Sequence, residues 1–246
     1  MGSQVISGRP IWLGAYEFTN QLNVASIDHG ADDLDGTTLA DDTRVHQAGL
    51  KSTGFAIEGF FSAAAGDDSI DKQLFDSMGL DGVPVAISAQ AGEAGQIAFF
   101  LPTVEGEYQP GGAVGELHKF SAGGMAQGEL VRGTIHINSE SETTTDDTAG
   151  IQMGAVDKNS AGQKLYAALF VTGVSGTSPT LDVIVESDDN GSFSSATTRI
   201  TFAQRTDIGA QLLELDSDIT DDYWRVGYTI GGTSPDFKFM VVVGIQ

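Results

Sequence analysis

The sequence predicts an all-β protein: a β-sandwich domain with one accessory helix, followed by a second β-sandwich or jelly-roll domain. Two nearly identical segments carry most of that prediction, Ser175-Gly176-Thr177-Ser178-Pro179 and Gly231-Gly232-Thr233-Ser234-Pro235. Each reads as a turn. After each Pro, residues 180–185 and 236–241 alternate apolar and polar, the two-residue period of a strand with one buried face, and neither offers a helical stripe. Pro fixes the backbone at a strand entrance, where a missing N–H costs little, while Gly and Ser supply the preceding turn. With 32 glycines and only 8% aromatic residues, the strands are expected to be short, turn-rich and packed with Val, Ile, Leu and Phe.

Residues 11–27 read as one or two strands, with Ile11, Leu13, Ala15 and then Leu22 and Val24 at alternate positions. Residues 28–50 break the pattern. They are polar and acidic, long for a passive connection, and read as a functional loop or arm. Strand pattern resumes at 54–60. One helix follows, capped by Asp67 or Asp68, with Ile70, Leu74, Phe75 and Met78 at helical spacing and Gly79 to stop it. Strands are then expected at 84–89, 96–102, 115–123 and 128–137. From Asn138 to Gly150 the chain has no apolar residue to bury except Ala149. That stretch marks a linker or a long exposed loop, and sets the domains at 1–138 and 151–246 with an acidic Ser/Thr-rich linker at 139–150.

The second half holds about seven strand-like runs, which suits a sandwich or jelly roll. Its core candidates are Leu165, Ala167, Leu169, Val171, Leu181, Val183, Val185, Ile200, Phe202, Leu213, Leu215, Trp224, Val226, Tyr228, Phe237, Phe239 and Val241. Apart from the shared turn sequence, the two halves do not align, so a tandem duplication is not supported. A chain of 246 residues can bury a sizeable core either as one large domain or as two smaller ones.

Composition excludes several chemistries. The absence of cysteine removes disulfides, thiolate catalysis and Cys-based zinc sites. The 34 acids against 12 bases give a net charge of -22, so most of the surface repels nucleic acid. Two compatible readings follow. One is an acidic, halophilic surface, screened over roughly 3 Å at about 1 M salt. The other is a surface past which a polyanion slides. No targeting segment is visible in residues 1–10, and no apolar run reaches the ~20 residues needed to span a bilayer. Both ends of the chain are expected to be held by neighbouring elements or subunits.

Motifs for catalysis are missing. His29, His46, His118 and His136 are scattered, with no helical His-x-x-x-His pair, and read as solvated or turn-satisfied. There is no Gly-x-Ser-x-Gly elbow and no phosphate-cradling Gly-x-Gly-x-x-Gly or Gly-Lys-Ser/Thr. Asp33-Leu34-Asp35-Gly36 and Asp188-Asp189-Asn190-Gly191 resemble calcium loops but lack the downstream bidentate Glu, and turn formation explains them equally well. No catalytic residue, cofactor or metal ligand is assigned, and the chain is read as a non-enzyme.

Against this background, several phrases resemble the tail tube (major tail) proteins of long-tailed bacteriophages and archaeal tailed viruses. They are the acidic loop through Asp35-Gly36-Thr37-Thr38, then Gln47-Ala48-Gly49-Leu50 with Ala48 where Pro is common, and the strand that runs on to Gly59-Phe60. Gly115-Glu116-Leu117 followed by Gly133-Thr134 adds to these. In the second half, residues 165–169, Asp221-Asp222-Tyr223-Trp224-Arg225-Val226 and Gly232-Thr233-Ser234-Pro235 look like C-terminal regions of phage structural proteins.

The resemblance implies a virion building block: sheets of identical subunits join into a ring, and rings stack into a hollow tube through which double-stranded DNA passes without specific binding. Six copies per ring are favoured over three, because the halves do not match. In the family the long loop reaches the adjacent ring, so Asp32, Asp33, Asp35, Thr37, Thr38, Asp41, Asp42 and Arg44 become the expected inter-ring contacts. Further partners would be other tail proteins, with no membrane; the place would be the virion tail, after assembly in the host cytoplasm. An alternative from another class is a surface-exposed β-sandwich module for binding or decoration, directed at carbohydrate or a host surface. Exposed aromatics would favour it, and Tyr223-Trp224 is the one local candidate, although alternation places Trp224 in the core.

Overall fold

The computed structural model describes residues 9–62 and 70–246, and among them strands dominate. In chain order they are β1 (Ile11–Leu13), β2 (Tyr16–Glu17), β3 (Leu22–Asp35), β4 (His46–Phe60), β5 (Val83–Ser88), β6 (Ile97–Gly111), β7 (Lys119–Ala126), β8 (Val131–Glu142), β9 (Asp146–Asp147), β10 (Ile151–Gln152), β11 (Leu165–Asp188), β12 (Thr197–Thr201), β13 (Gly209–Leu215) and β14 (Tyr223–Ile245). The helices are α1 (Ile70–Ser77) and the single turn α2 (Lys158–Ala161). The chain forms two compact units, each discontinuous: Met1–Asn20, Val83–Pro102 and Val131–Gln246 make a ribbon unit, and Gln21–Gly82 with Thr103–Leu130 make an arm unit.

The ribbon unit is named for β11 and β14, which pair antiparallel from Leu165↔Ile245 to Asp188↔Tyr223. The two repeated motifs do not reverse the chain as the sequence predicts. They lie opposite each other in mid-strand, Thr177 facing Thr233, and form one double kink. Gly176 (φ 110) and Gly232 (φ 117) take left-handed backbone, as do Ser178 and Ser234. A Cβ on Gly176 would lie 2.6 Å from the Ser234 carbonyl, and one on Gly232 2.7 Å from that of Ser178, so only glycine fits at both. The kink folds the ribbon back on itself. Tyr228 and Phe239 of β14 meet edge to face with centroids 5.3 Å apart, whereas an unkinked strand would separate them by roughly 36 Å.

Two layers result. One holds the start of β11 and the end of β14, flanked by β13 on one side and by β8, β6, β5, β1 and β2 in order on the other. The other holds the remaining halves with β12, β9 and β10. Between them lies the core that alternation predicts: fifteen of its seventeen candidates are buried, and Leu213 and Leu215 pack against them half-buried. Burying a Val or Phe side chain contributes roughly 1.5–3 kcal/mol. The opposite face of the first layer is also covered, since Tyr166, Ala168, Phe170, Met240 and Val242 pack with Trp12, Ala86, Phe100 and Ile135. Trp224 is fully buried, its Nε1 donating to the Gly154 carbonyl at 2.8 Å.

Residues 139–150, expected as a linker, lie within this unit. Here β8 runs on to Glu142, with Ser139 opposite Phe239 and Glu142 opposite Phe237. The polar side chains have work: Thr145 and Thr148 accept from the β14 amides of Ile230 and Val226, each at 3.0 Å, and Glu140 pairs with Lys238 at 2.8 Å. The second helix was not anticipated; Asp157 caps α2 and Gly162 closes it in left-handed backbone. At the C-terminus, Gln246 exchanges backbone hydrogen bonds with Lys164.

The arm unit is a four-stranded antiparallel sheet in the order β3, β4, β7 and residues 103–111 of β6. Thr53, Phe55, Ile57, Phe120 and Ala122 are buried on its inward face. The helix α1 is tied to that face by Tyr108, whose hydroxyl donates to Asp71 at 2.6 Å, and by Ser77, whose hydroxyl donates to Glu105. The expected capping residues Asp67 and Asp68 lie outside the described residues. Ile70 and Leu74 are buried as their spacing predicts, and Gly79 ends the helix at φ 73. Phe75 and Met78, expected on the same helical stripe, are instead exposed.

Candidate assembly surface

The arm is the part of the β3/β4 hairpin that outruns its sheet. Strand β7 pairs β4 only from Gly54 to Phe60, while the hairpin continues through Asp35↔His46. Beyond Gly54 there are thus two strands and no third. Residues 28–35 and 46–50, read from sequence as loop, are strand; only 36–45 is irregular. Alternation is missing because neither face is buried. The tip is held by its own carboxylates. Asp35 accepts from the Thr37 amide at 3.0 Å and hydroxyl at 2.5 Å, and Asp41 accepts from the Thr38 amide at 2.7 Å and hydroxyl at 2.8 Å. These bonds favour the charged form and hold both carboxyls below their ordinary range. Thr37 also accepts from the Val45 amide at 3.0 Å, and Asp33 meets His46 Nδ1 at 2.8 Å.

All eight residues singled out from the sequence therefore sit on the arm, on β3 (Asp32, Asp33, Asp35) or at the tip (Thr37, Thr38, Asp41, Asp42, Arg44). Sequence reasoning missed the apolar side chains among them. Leu34, Leu39, Val45 and Leu50 are 53%, 110%, 37% and 81% exposed. Every exposed large hydrophobic among the described residues belongs to the arm unit, the others being Val24, Phe60, Phe75, Met78, Leu80, Val114, Leu117 and Met125.

The sheet's outward face is small and acidic. Asp28, Glu58 and Glu107 line an open trough of about 610 Å3 floored by Ala56, Ser121 and Gly123, with no cation in its lining. Its edges are open too: β3 pairs only β4, and β6 from Glu107 to Gly111 pairs only β7, so the outer side of each has no strand partner among the described residues. Long unpaired edges template pairing with another chain unless they are used.

The remaining candidates sit in local contacts. His29 meets Thr53 Oγ1 at 2.7 Å, and His118 stacks on Phe61 at 4.1 Å. His136 departs from the solvated reading: it is 3% exposed, and burial pulls its pKa down to about 4. In the second calcium-like loop, Asp188 accepts from the amides of Asn190 and Ser195 at 3.2 and 2.8 Å, a turn rather than a cation cage. No group of His, Asp and Glu among the described residues is arranged to hold a metal, and none of their helices is long and apolar enough to cross a membrane.

No family model and no curated protein matches the chain. Solved structures with low similarity to the chain include the virion of a native gene transfer agent particle (TM-score 0.41, 16% identity, 52% of this chain and 97% of that one). Another is the sheath/tube terminator of the PVC extracellular contractile injection system in its extended state (0.42, 12%, 54% and 97%). A third is the Dit hub adsorption protein of phage SPP1 (0.35, 12%, 97% and 99%). Similarities this slight establish neither fold nor role, which must come from the chain's own surface.

Proposed function

We propose that the chain is a structural subunit of a virion tail tube, in which arm units join edge to edge into a ring of six and rings stack through the arm. The observation that carries this reading is the arm unit itself: open edges, a two-stranded arm with no third strand, and all the exposed large hydrophobics of the described chain. An isolated two-stranded ribbon is marginal in water, so the arm is best understood as completed by another copy. Asp32, Asp33, Asp35, Thr37, Thr38, Asp41, Asp42 and Arg44 are then inter-ring contacts. The trough of Asp28, Glu58 and Glu107, whose lining holds no cation, suits a channel wall for double-stranded DNA, because lining that neutralises no phosphate adds no salt-dependent drag.

For the alternative of a glycan-binding module, the candidate pair Tyr223-Trp224 offers only a half-buried Tyr223, since Trp224 is buried. Electron microscopy of the purified protein across a range of salt tests the proposal. Stacked rings or hollow tubes are expected once salt screens the net charge of -22; a protein that stays monomeric at every salt and concentration would overturn it.

A further inference from the structure

The arm leaves the sheet at one end, and the opposite end carries a complementary surface. Strand β4 runs from the arm at His46 to Phe60, where it pairs with Lys119 of β7, which in turn pairs with Gly111 of β6. Here the loop between β6 and β7 projects, with Val114 108% and Leu117 69% exposed beside an exposed Phe60. The Lys119 side chain is exposed and makes no ion pair or hydrogen bond among the described residues, in a chain where acids outnumber bases 34 to 12. Glu116 and His118 flank it. The arm tip offers the counterpart: apolar Leu34, Leu39 and Val45 set among Asp32, Asp41 and Asp42, with Arg44 available to Glu116.

We infer that this end of the arm unit, formed by Phe60, Val114, Leu117 and Lys119, is the seat for the arm tip of a second copy, packed head to tail along the strand direction. The inference rests on the proposed tube role and names the receiving surface for it. Two acidic tips facing each other repel, whereas unlike ends match apolar to apolar and set Lys119 against the acids of the tip, and such a heterologous contact propagates where its rotation does not close. The two ends cannot meet within one chain, since the fifteen residues of β4 span roughly 50 Å.

The chain has no cysteine, so paired cysteines report the contact directly. The Leu39→Cys, Val114→Cys double variant is assembled, checked by electron microscopy and treated with a short bismaleimide. A ladder of covalent multimers beyond dimer is expected, at about tenfold the yield of either single variant, while Lys119→Glu raises the concentration needed for assembly about tenfold and Lys119→Arg leaves it unchanged. Assembled particles with no ladder and with Lys119→Glu assembling normally would overturn the seat while leaving the tube reading intact. No assembly of any variant or of the parent chain would overturn both.

Discussion

The two units solve the problem of an exposed β-sheet in opposite ways. The ribbon unit closes on itself: one long hairpin is kinked by two glycines and folded into two layers, and one of those layers is buried on both faces. The arm unit leaves its edges, one face and twelve large hydrophobics in water. A protein that stood alone would gain nothing from the second arrangement. The ribbon unit buries its sheets by itself, and on the proposed tube reading the arm unit completes its burial between chains.

The largest way to break the comparison is at the kink. Gly176→Val or Gly232→Val puts a branched side chain at φ above 100° against a carbonyl 2.6–2.7 Å away, and should cost at least about 3 kcal/mol in urea unfolding. Loss of the ribbon fold is the expected extreme; tolerance of both would mean that the ribbon does not depend on the kink.

Next come two buried titrating groups whose signs are opposed. His136 in the ribbon unit is held neutral, with its pKa lowered from 6.5 to about 4 by burial. Its stabilisation is complete above pH 6.5 and is lost as pH falls toward 4, because the unfolded chain binds the proton first. His136→Leu should flatten that limb by about 2–3 kcal/mol, read from stability at pH 4 and 7. Glu105 in the arm unit is fully buried, with Oε1 unpartnered, and burial pushes its pKa up from 4.5 to about 7. Here the native state keeps the proton longer, so stability falls as pH rises from 4.5 to 7. Glu105→Gln should remove about 1–2 kcal/mol of that slope, measured as the pH dependence of amide exchange in α1. A fall in pH below 6.5 thus loosens the ribbon unit, whereas a rise from 4.5 to neutrality loosens the arm unit.

The smallest effect on the single chain is expected in the arm. Replacing Asp32, Asp33 and Asp35 together by Ala should loosen the arm tip, where Asp35 holds Thr37 and Asp33 meets His46, but shift global monomer stability by no more than about 1 kcal/mol, since all three are exposed. Ring stacking should nevertheless be impaired; a triple variant that polymerises normally would remove these acids from the interface.

Alternation made the ribbon core legible, from Leu165 to Val241, because each strand has a face turned to the other layer. It could not show that Tyr166, Phe170 and Met240 are buried as well, since a second covered face leaves no polar partner to alternate with. The Gly-Thr-Ser-Pro repeats were visible, but the same residues serve a chain reversal and a mid-strand kink; only the pairing of Thr177 with Thr233 separates the two. The arm was legible as acidic and long, not as strand, because period two requires one dry face and the arm has none. Its apolar residues read as noise for the same reason. Units built from chain that leaves and returns, as 83–102 does, leave no compositional mark.

The most direct measurement is hydrogen–deuterium exchange compared between dispersed chain and assembled particles. New protection should concentrate in the arm unit, on the amides of 28–35 and 107–111 and in the loop before Lys119, with the ribbon unit unchanged. Protection gained mainly on β11 and β14, with the arm still exchanging freely, would contradict the assignment of the arm unit as the surface of assembly.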